Sequence, residues 1–167
     1  RVDLMGGHKL DQIDLRILEI LQVNGRAKHG QVAEQVKLSV PSVGERIRKL
    51  DEAGLIRSVN AILETHKVGL EVSAFIFLMS ESSEHYDEII KRAFGLREVL
   101  ECHAVTGDGS HLLKIRTRNT ATLEQLLSEI QSWPGVTNTR TNIVLSSHKE
   151  TTAVPLNYLL ETEAVPV

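Results

Sequence analysis

The sequence predicts an α+β fold in two modules, a helical one up to about residue 59 and a βαββαβ one from about residue 71 to 150. Three observations predict it. Apolar residues recur at helical spacing through the first sixty residues. From Val72 onward, short apolar runs alternate with helical stretches. The joints are punctuated by Asn24-Gly25, Gly54, Gly95, Gly107 to Ser110 and Trp133-Pro134-Gly135.

The first helix opens at Asp11, whose carboxylate suits an N-cap, with Asp14 adding favourable charge in the first turn. Its apolar positions are Ile13, Ile17, Ile20 and Leu21, and Asn24-Gly25 stops it. A second, short helix spans Gln31 to Val36, with Val32, Ala33 and Val36 facing inward. Lys37-Leu38-Ser39 is a tight turn. The third helix runs from Pro41 to about Ala53, capped by Ser39 and ended by Gly54. Val43, Ile47 and Leu50 mark its buried face; Ser42, Glu45, Arg46 and Lys49 lie opposite. Gly44 sits mid-helix at a cost of about 0.5–1 kcal/mol, tolerable if something must approach the backbone closely. Leu55 to Ile62 reads as a strand or wing.

Two packed helices with a three-residue turn, the second amphipathic and basic on its free side, form the arrangement that lays a helix in the DNA major groove. The candidate contacts are Ser39, Ser42, Glu45, Arg46, Arg48, Lys49 and Arg57. Arginine reads guanine through two parallel bonds, so Arg46 is the expected base reader. Glu45 would accept from cytosine, and the serines and Lys49 would reach phosphates.

Charge is distributed to match. The chain carries a net −3, yet residues 8–62 hold nine Lys/Arg against seven Asp/Glu, and the remainder ten against fifteen. Between Arg26 and Arg57 the balance is seven to four. So modest a surplus favours doubling the module in a dimer.

In the second module, Val72 to Met79 is apolar on both strand parities, so both faces are expected to be covered. A helix from Glu84 to Phe94 places Tyr86, Ile89, Ile90, Ala93 and Phe94 on one side. Strands at Val99–Thr106 and His111–Thr117 flank a turn-rich loop. A second helix, capped by Thr120 or Thr122, carries Leu123, Leu126, Leu127 and Ile130. The last strand runs from Val136 to about Ser146. This order suits a ferredoxin-like sandwich with both helices on one sheet face. The other face, apolar on the first strand, is best covered by a second copy, which predicts a homodimer.

Other chemistry is not indicated. The seven histidines lack metal-ligand spacing, and no cofactor pattern appears. Cys102 and His103, adjacent on a strand, point to opposite faces and cannot form a dyad. No nucleophile–base pair converges on the Gly-Asp loop, so the protein is not expected to be an enzyme. No apolar leader or membrane-length run is visible, and a lone cysteine suits a reducing compartment, here the cytoplasm.

The segments Leu10-Asp11-Gln12-Ile13-Asp14, Asn24-Gly25-Arg26, Val32-Ala33-Glu34, Leu38-Ser39, Arg46-Ile47, Leu50 to Ile56, Gly69, Val105-Thr106-Gly107-Asp108 and Trp133-Pro134-Gly135-Val136 together resemble the Lrp/AsnC, or feast/famine, transcriptional regulators. The resemblance implies a winged helix-turn-helix joined by a hinge to an amino-acid-sensing ferredoxin-like domain. It implies double-stranded DNA as partner, and dimers that assemble further, often to octamers. It also implies an effector, typically an amino acid, held between subunits near the Gly-Asp loop. The candidate effector contacts are then Thr106, Gly107, Asp108, Gly109, Ser110 and His111. Here the loop departs from the family pattern, lacking an aromatic residue and a second Asp. Asp108 remains to hold an ammonium group, with loop N–H groups for a carboxylate.

The expected organisation is a flexible N-terminus (1–9), the DNA-binding domain (10–59), a hinge (60–70), the effector and oligomerisation domain (71–150) and a tail (151–167). The tail contains Val154-Pro155-Leu156 and Tyr158-Leu159-Leu160 and no Lys or Arg; its apolar content favours docking on a neighbouring subunit over disorder. The rival function is a stand-alone amino-acid sensor or a regulatory subunit of a metabolic enzyme. The basic helix-turn-helix distinguishes the two, since a sensor alone has no use for one.

Overall fold

The structure, a computed structural model, describes residues 2–3 and 9–159. Its compact units are two: a helical unit reaching Ile62 and including the described segment 149–159, and a sandwich unit, Leu63–His148.

The helical unit contains an antiparallel pair, β1 (Val2–Asp3) with β2 (Lys9–Leu10), and three helices, α1 (Gln12–Val23), α2 (His29–Val36) and α3 (Val40–Glu52). Asp11 caps α1 reciprocally: its side chain accepts from the Asp14 N–H (2.8 Å), and the Asp14 carboxylate accepts from the Asp11 N–H (3.1 Å). α2 starts two residues earlier than the sequence suggests, because Gln31 turns back to accept from the Lys28 N–H (3.1 Å). Lys37 takes the left-handed position that ends α2 (φ 55°). Leu10, Leu15, Ile17, Val32, Val43 and Leu50 seal the core. Leu55 and Ile56 pack against it, but the expected strand from Leu55 to Ile62 is not formed. Among the described residues no strand lies beside that stretch to pair with it.

In the sandwich unit, β3 (Val72–Ser80), β4 (Val99–Ala104), β5 (His111–Thr117) and β6 (Val136–Ile143) make an antiparallel sheet in the order β4-β5-β3-β6. α4 (Tyr86–Gly95) and α5 (Thr120–Gln131) cover one face. Ala74, Ile76 and Leu78 of β3 and Leu113 and Ile115 of β5 pack there against Ile89, Ala93, Leu123, Leu126, Ile130 and Trp133. Phe94 is a correction: it was expected inward and is 83% exposed. The buried stripe of α4 passes through Ile89 and Ala93, and Phe94 sits a third of a turn beyond it. Asn119, rather than either threonine, caps α5, accepting from the Thr122 N–H (2.9 Å) while Thr122 Oγ1 accepts from the Asn119 N–H (3.0 Å).

The opposite sheet face is mixed rather than wholly apolar. Phe75, Phe77 and Met79 are only partly buried. Register sets Lys114 and Asn142 beside Phe75, and Leu112 and Arg140 beside Phe77.

Candidate functional site: a solvent-facing helix and a Gly-Asp loop

α3 owes its placement to its ends and its underside. Ser39 caps it, accepting from the Ser42 N–H (3.3 Å), and the two hydroxyls lie 2.8 Å apart. Val43 and Leu50 anchor it in the core. The His29 ring lies against Gly44, with Nδ1 3.3 Å from where a Cβ would stand, so the close approach suggested by that glycine is made by α2.

Its polar side divides into two parts. Ser39, Ser42, Glu45, Arg48 and Lys49 are exposed, as is Arg57 beyond the helix. Arg48 donates from Nε and Nη2 to both oxygens of Glu45 (2.9 and 2.7 Å) and from Nη1 to Glu52. The Lys49 ammonium is 3.5 Å from Glu45. Arg48 holds the Glu45 carboxyl at about 2. Such solvated pairs are weak and exchange readily for other partners.

Arg46 differs from that outer face in being half-buried and paired with another helix. Its Nη1 donates to Asp14 (2.6 Å) and Asp11 (2.9 Å), across to the N-terminus of α1. Two bonds to one nitrogen draw the guanidinium toward α1 and leave its side chain 31% exposed. Burial alone would raise the Asp11 carboxyl, but the Asp14 N–H and Arg46 outweigh it and leave it below its ordinary value.

The Gly-Asp loop joins β4 to β5. Thr106, Gly107 and Asp108 are exposed. Asp108 lies 3.8 Å from Arg140 of β6, whose guanidinium stacks over Phe77 at 4.8 Å from the ring centroid. A Cβ on Gly109 would lie 3.0 Å from the Leu78 carbonyl oxygen, so any side chain there would require that strand backbone to give by a few tenths of an ångström. Ser110 is spent on structure: its N–H and its hydroxyl both donate to the Leu78 carbonyl (2.8 and 3.2 Å). The loop N–H groups available to a carboxylate are therefore fewer than expected. Arg140, which sequence reasoning missed, is the cation beside Asp108. Only the register of β6 against β3 brings it there.

His111 is a second correction. It was expected to touch an effector, but it is fully buried on the helix-covered face, edge-on to Tyr86 at 4.8 Å. Its Nδ1 lies 3.0 Å from Ser110 Oγ, and Nε2 has no partner. Burial pushes the imidazole below its ordinary value. Cys102 and His103 do point to opposite faces: the thiol packs against the core, where burial raises it, and His103 pairs with Glu101 at 3.2 Å. Among the described residues no His, Cys, Asp and Glu side chains gather to hold a metal ion. No helix among them is long and apolar enough to cross a membrane.

A capped helix-turn-helix with a solvent-facing polar helix, followed by an α/β sandwich with a surface Gly-Asp loop, defines a two-unit regulator of the DNA-binding class. Comparisons agree unit by unit. Residues 10–57 match the winged helix-turn-helix DNA-binding family, and residues 71–154 match the Lrp/AsnC ligand binding domain. The HTH-type transcriptional regulator FL11 of Pyrococcus abyssi is 39% identical over 147 residues, 88% of this chain and 97% of that one. The crystal structure of a Neisseria meningitidis transcriptional regulator in complex with L-Met superposes with a TM-score of 0.86 at 32% identity, covering 90% of this chain and 99% of that one. E. coli AsnC superposes at 0.82 with 28% identity, covering 89% of this chain and 100% of that one. The chain belongs to the Lrp/AsnC family: it is a helix-turn-helix transcriptional regulator with a ligand-binding domain.

Proposed function

We propose that the protein binds duplex DNA through the outer face of α3 and answers to an amino acid or related metabolite at the Gly-Asp loop. The observation that carries the first part is the exposure of Arg48 and Lys49 on a helix fixed by its core and cap. Arg48 takes over the guanine-reading role from Arg46, Glu45 accepts from cytosine, and Ser39, Ser42, Lys49 and Arg57 reach phosphates. Swapping Glu45 and Glu52 for a base edge costs Arg48 little in water, because its present pairs are exposed.

At the loop, Asp108 holds an ammonium group and Arg140 a carboxylate, with Thr106 and Gly107 beside them. The 3.8 Å Asp108–Arg140 pair is the set of charges that a zwitterion would satisfy at both ends. The L-Met complex of the Neisseria relative supports an amino acid as the class. The half-covered face around Phe75 and Phe77 supports a homodimer, which would present two α3 helices to half-sites about one helical turn apart.

The experiment is selection of bound genomic fragments by the full chain with and without individual amino acids, followed by affinity titrations on the fragments recovered. Enrichment of a shared, two-fold related sequence that changes with one amino acid is expected. Recovery of random fragments would contradict the DNA reading, and indifference to every amino acid would contradict the effector reading.

A further inference from the structure

The last described stretch of the chain is part of the helical unit, although it emerges from the last strand of the sandwich. β6 ends at Ile143, and the described segment 149–159 belongs with the three helices. Gln22, in the last turn of α1, donates from Nε2 to the Val154 carbonyl (3.1 Å) and accepts the Val154 N–H on Oε1 (2.7 Å). One side-chain amide thus pairs with both polar groups of a single residue, as a neighbouring strand would. Leu156 then packs against the core of the helical unit. The 3-10 turn Asn157–Leu159, closed by the Leu159 N–H donating to the Leu156 carbonyl (3.0 Å), brings Leu159 against the same core. A unit of some fifty residues has little apolar interior of its own, so two added leucines matter to it.

The connectivity makes this more than a capping contact. The sandwich unit is tied to the helical unit at both its ends, by the linker after Ile56 and by residues 144–153. Arg140, beside Asp108, lies on the strand that leads into the second tie. α1, which receives that tie at Gln22, holds Arg46 of α3 at its other end.

We propose that Val154–Leu159 is a strap: a built-in docking segment whose seat is the α1 side of the DNA-binding core, and which makes that core and the last sensor strand respond as one. A single flexible linker would leave the units independent. A second attachment on a short tether raises the local concentration of the docking segment at its seat to roughly millimolar, so that a weak contact stays closed. The strap deepens the regulatory reading given above, but its docking does not depend on that reading.

The test uses the full chain and three variants, Gln22→Ala, Leu156→Asp and the pair. Alanine favours the helix, so α1 persists in the first. Amide exchange at Val154 is expected to quicken about tenfold in Gln22→Ala and further in Leu156→Asp. The double variant should be no worse than Leu156→Asp, because both changes act through one docked segment. Calorimetry should show one unfolding transition in the parent and two in Leu156→Asp. Additive losses, an equally protected Val154 amide in Leu156→Asp, or the same number of transitions in parent and variant would overturn the strap. None of these readouts involves DNA, so a chain that binds no operator would refute the DNA reading and leave the strap to stand or fall by itself.

Discussion

The Arg46 guanidinium and the Asp14 carboxylate, 2.6 Å apart, brace α3 against α1. Asp14 is nearly enclosed, its side chain 11% exposed, and Arg46 is the cation it meets there. An arginine spent in this way sets the angle at which α3 is presented and leaves the outer face to Arg48 and Lys49.

Arg46→Ala is therefore expected to act on stability. Removing it leaves the Asp14 carboxylate enclosed and short of a counter-charge, a loss of about 2–3 kcal/mol to the helical unit. Denaturant unfolding reads this directly. Below the unfolding range the surviving folded fraction should keep the parent's sequence preference; a relaxed preference in fully folded protein would return Arg46 to the base-reading role.

The two units should respond to acid in order. Burial depresses His111, so the folded sandwich binds fewer protons than its unfolded chain. The stability tied to His111 is whole above its ordinary 6.5 and is lost as pH falls below it. Asp11 is also depressed, from an ordinary 3.8, and its contribution to the helical unit survives until pH drops below that. Thermal melts from pH 8 to 3 should show the sandwich weakening first, with the His111 ring protons titrating below 6.5. Titration at or above 6.5 would contradict the sealed, neutral imidazole.

Gly135 is required twice over. Its φ of +81° is left-handed, and a Cβ there would stand 2.2 Å from the His85 ring, which packs on the turn into β6. Gly135→Ala should cost the sandwich more than about 2 kcal/mol. In a His85→Gly background, which takes away both the ring and the Cβ that would stand 2.4 Å off, Gly135→Ala should cost only the backbone share of about 1–2 kcal/mol. If that background brings no recovery, His85 does not pack where the structure has it.

Much of this fold was legible because its punctuation is local. Asp11, Ser39, Gly54 and Gly95 mark helix ends by chemistry that acts within four residues, and the parity of Val72–Met79 separates the two sheet faces. What stayed hidden depends on contacts far apart in sequence. Arg46 looks like its neighbours until Asp11 and Asp14 stand opposite it. His111 looks like part of a surface loop until pairing with Leu78 turns it inward. Arg140 reaches Asp108 only through the β3–β6 register, and nothing within the tail points to Gln22. Helical spacing also overshot at Phe94, since periodicity marks a stripe without saying how wide its cover is.

The outer face of α3 is the central claim, and Arg48 tests it most directly. On operator fragments recovered by selection, Arg48→Ala should weaken binding by about 1–3 kcal/mol and relax preference at one base pair in each half-site. Lys49→Ala, as the phosphate-contact control, should weaken all sequences alike and lower the salt slope by about one. The deciding measurement is the ratio of operator to random-DNA affinity for Arg48→Ala, taken at one fixed salt concentration. A ratio at least about fivefold below the parent's is the result expected; a ratio equal to the parent's would mean that the helix does not meet bases through this face.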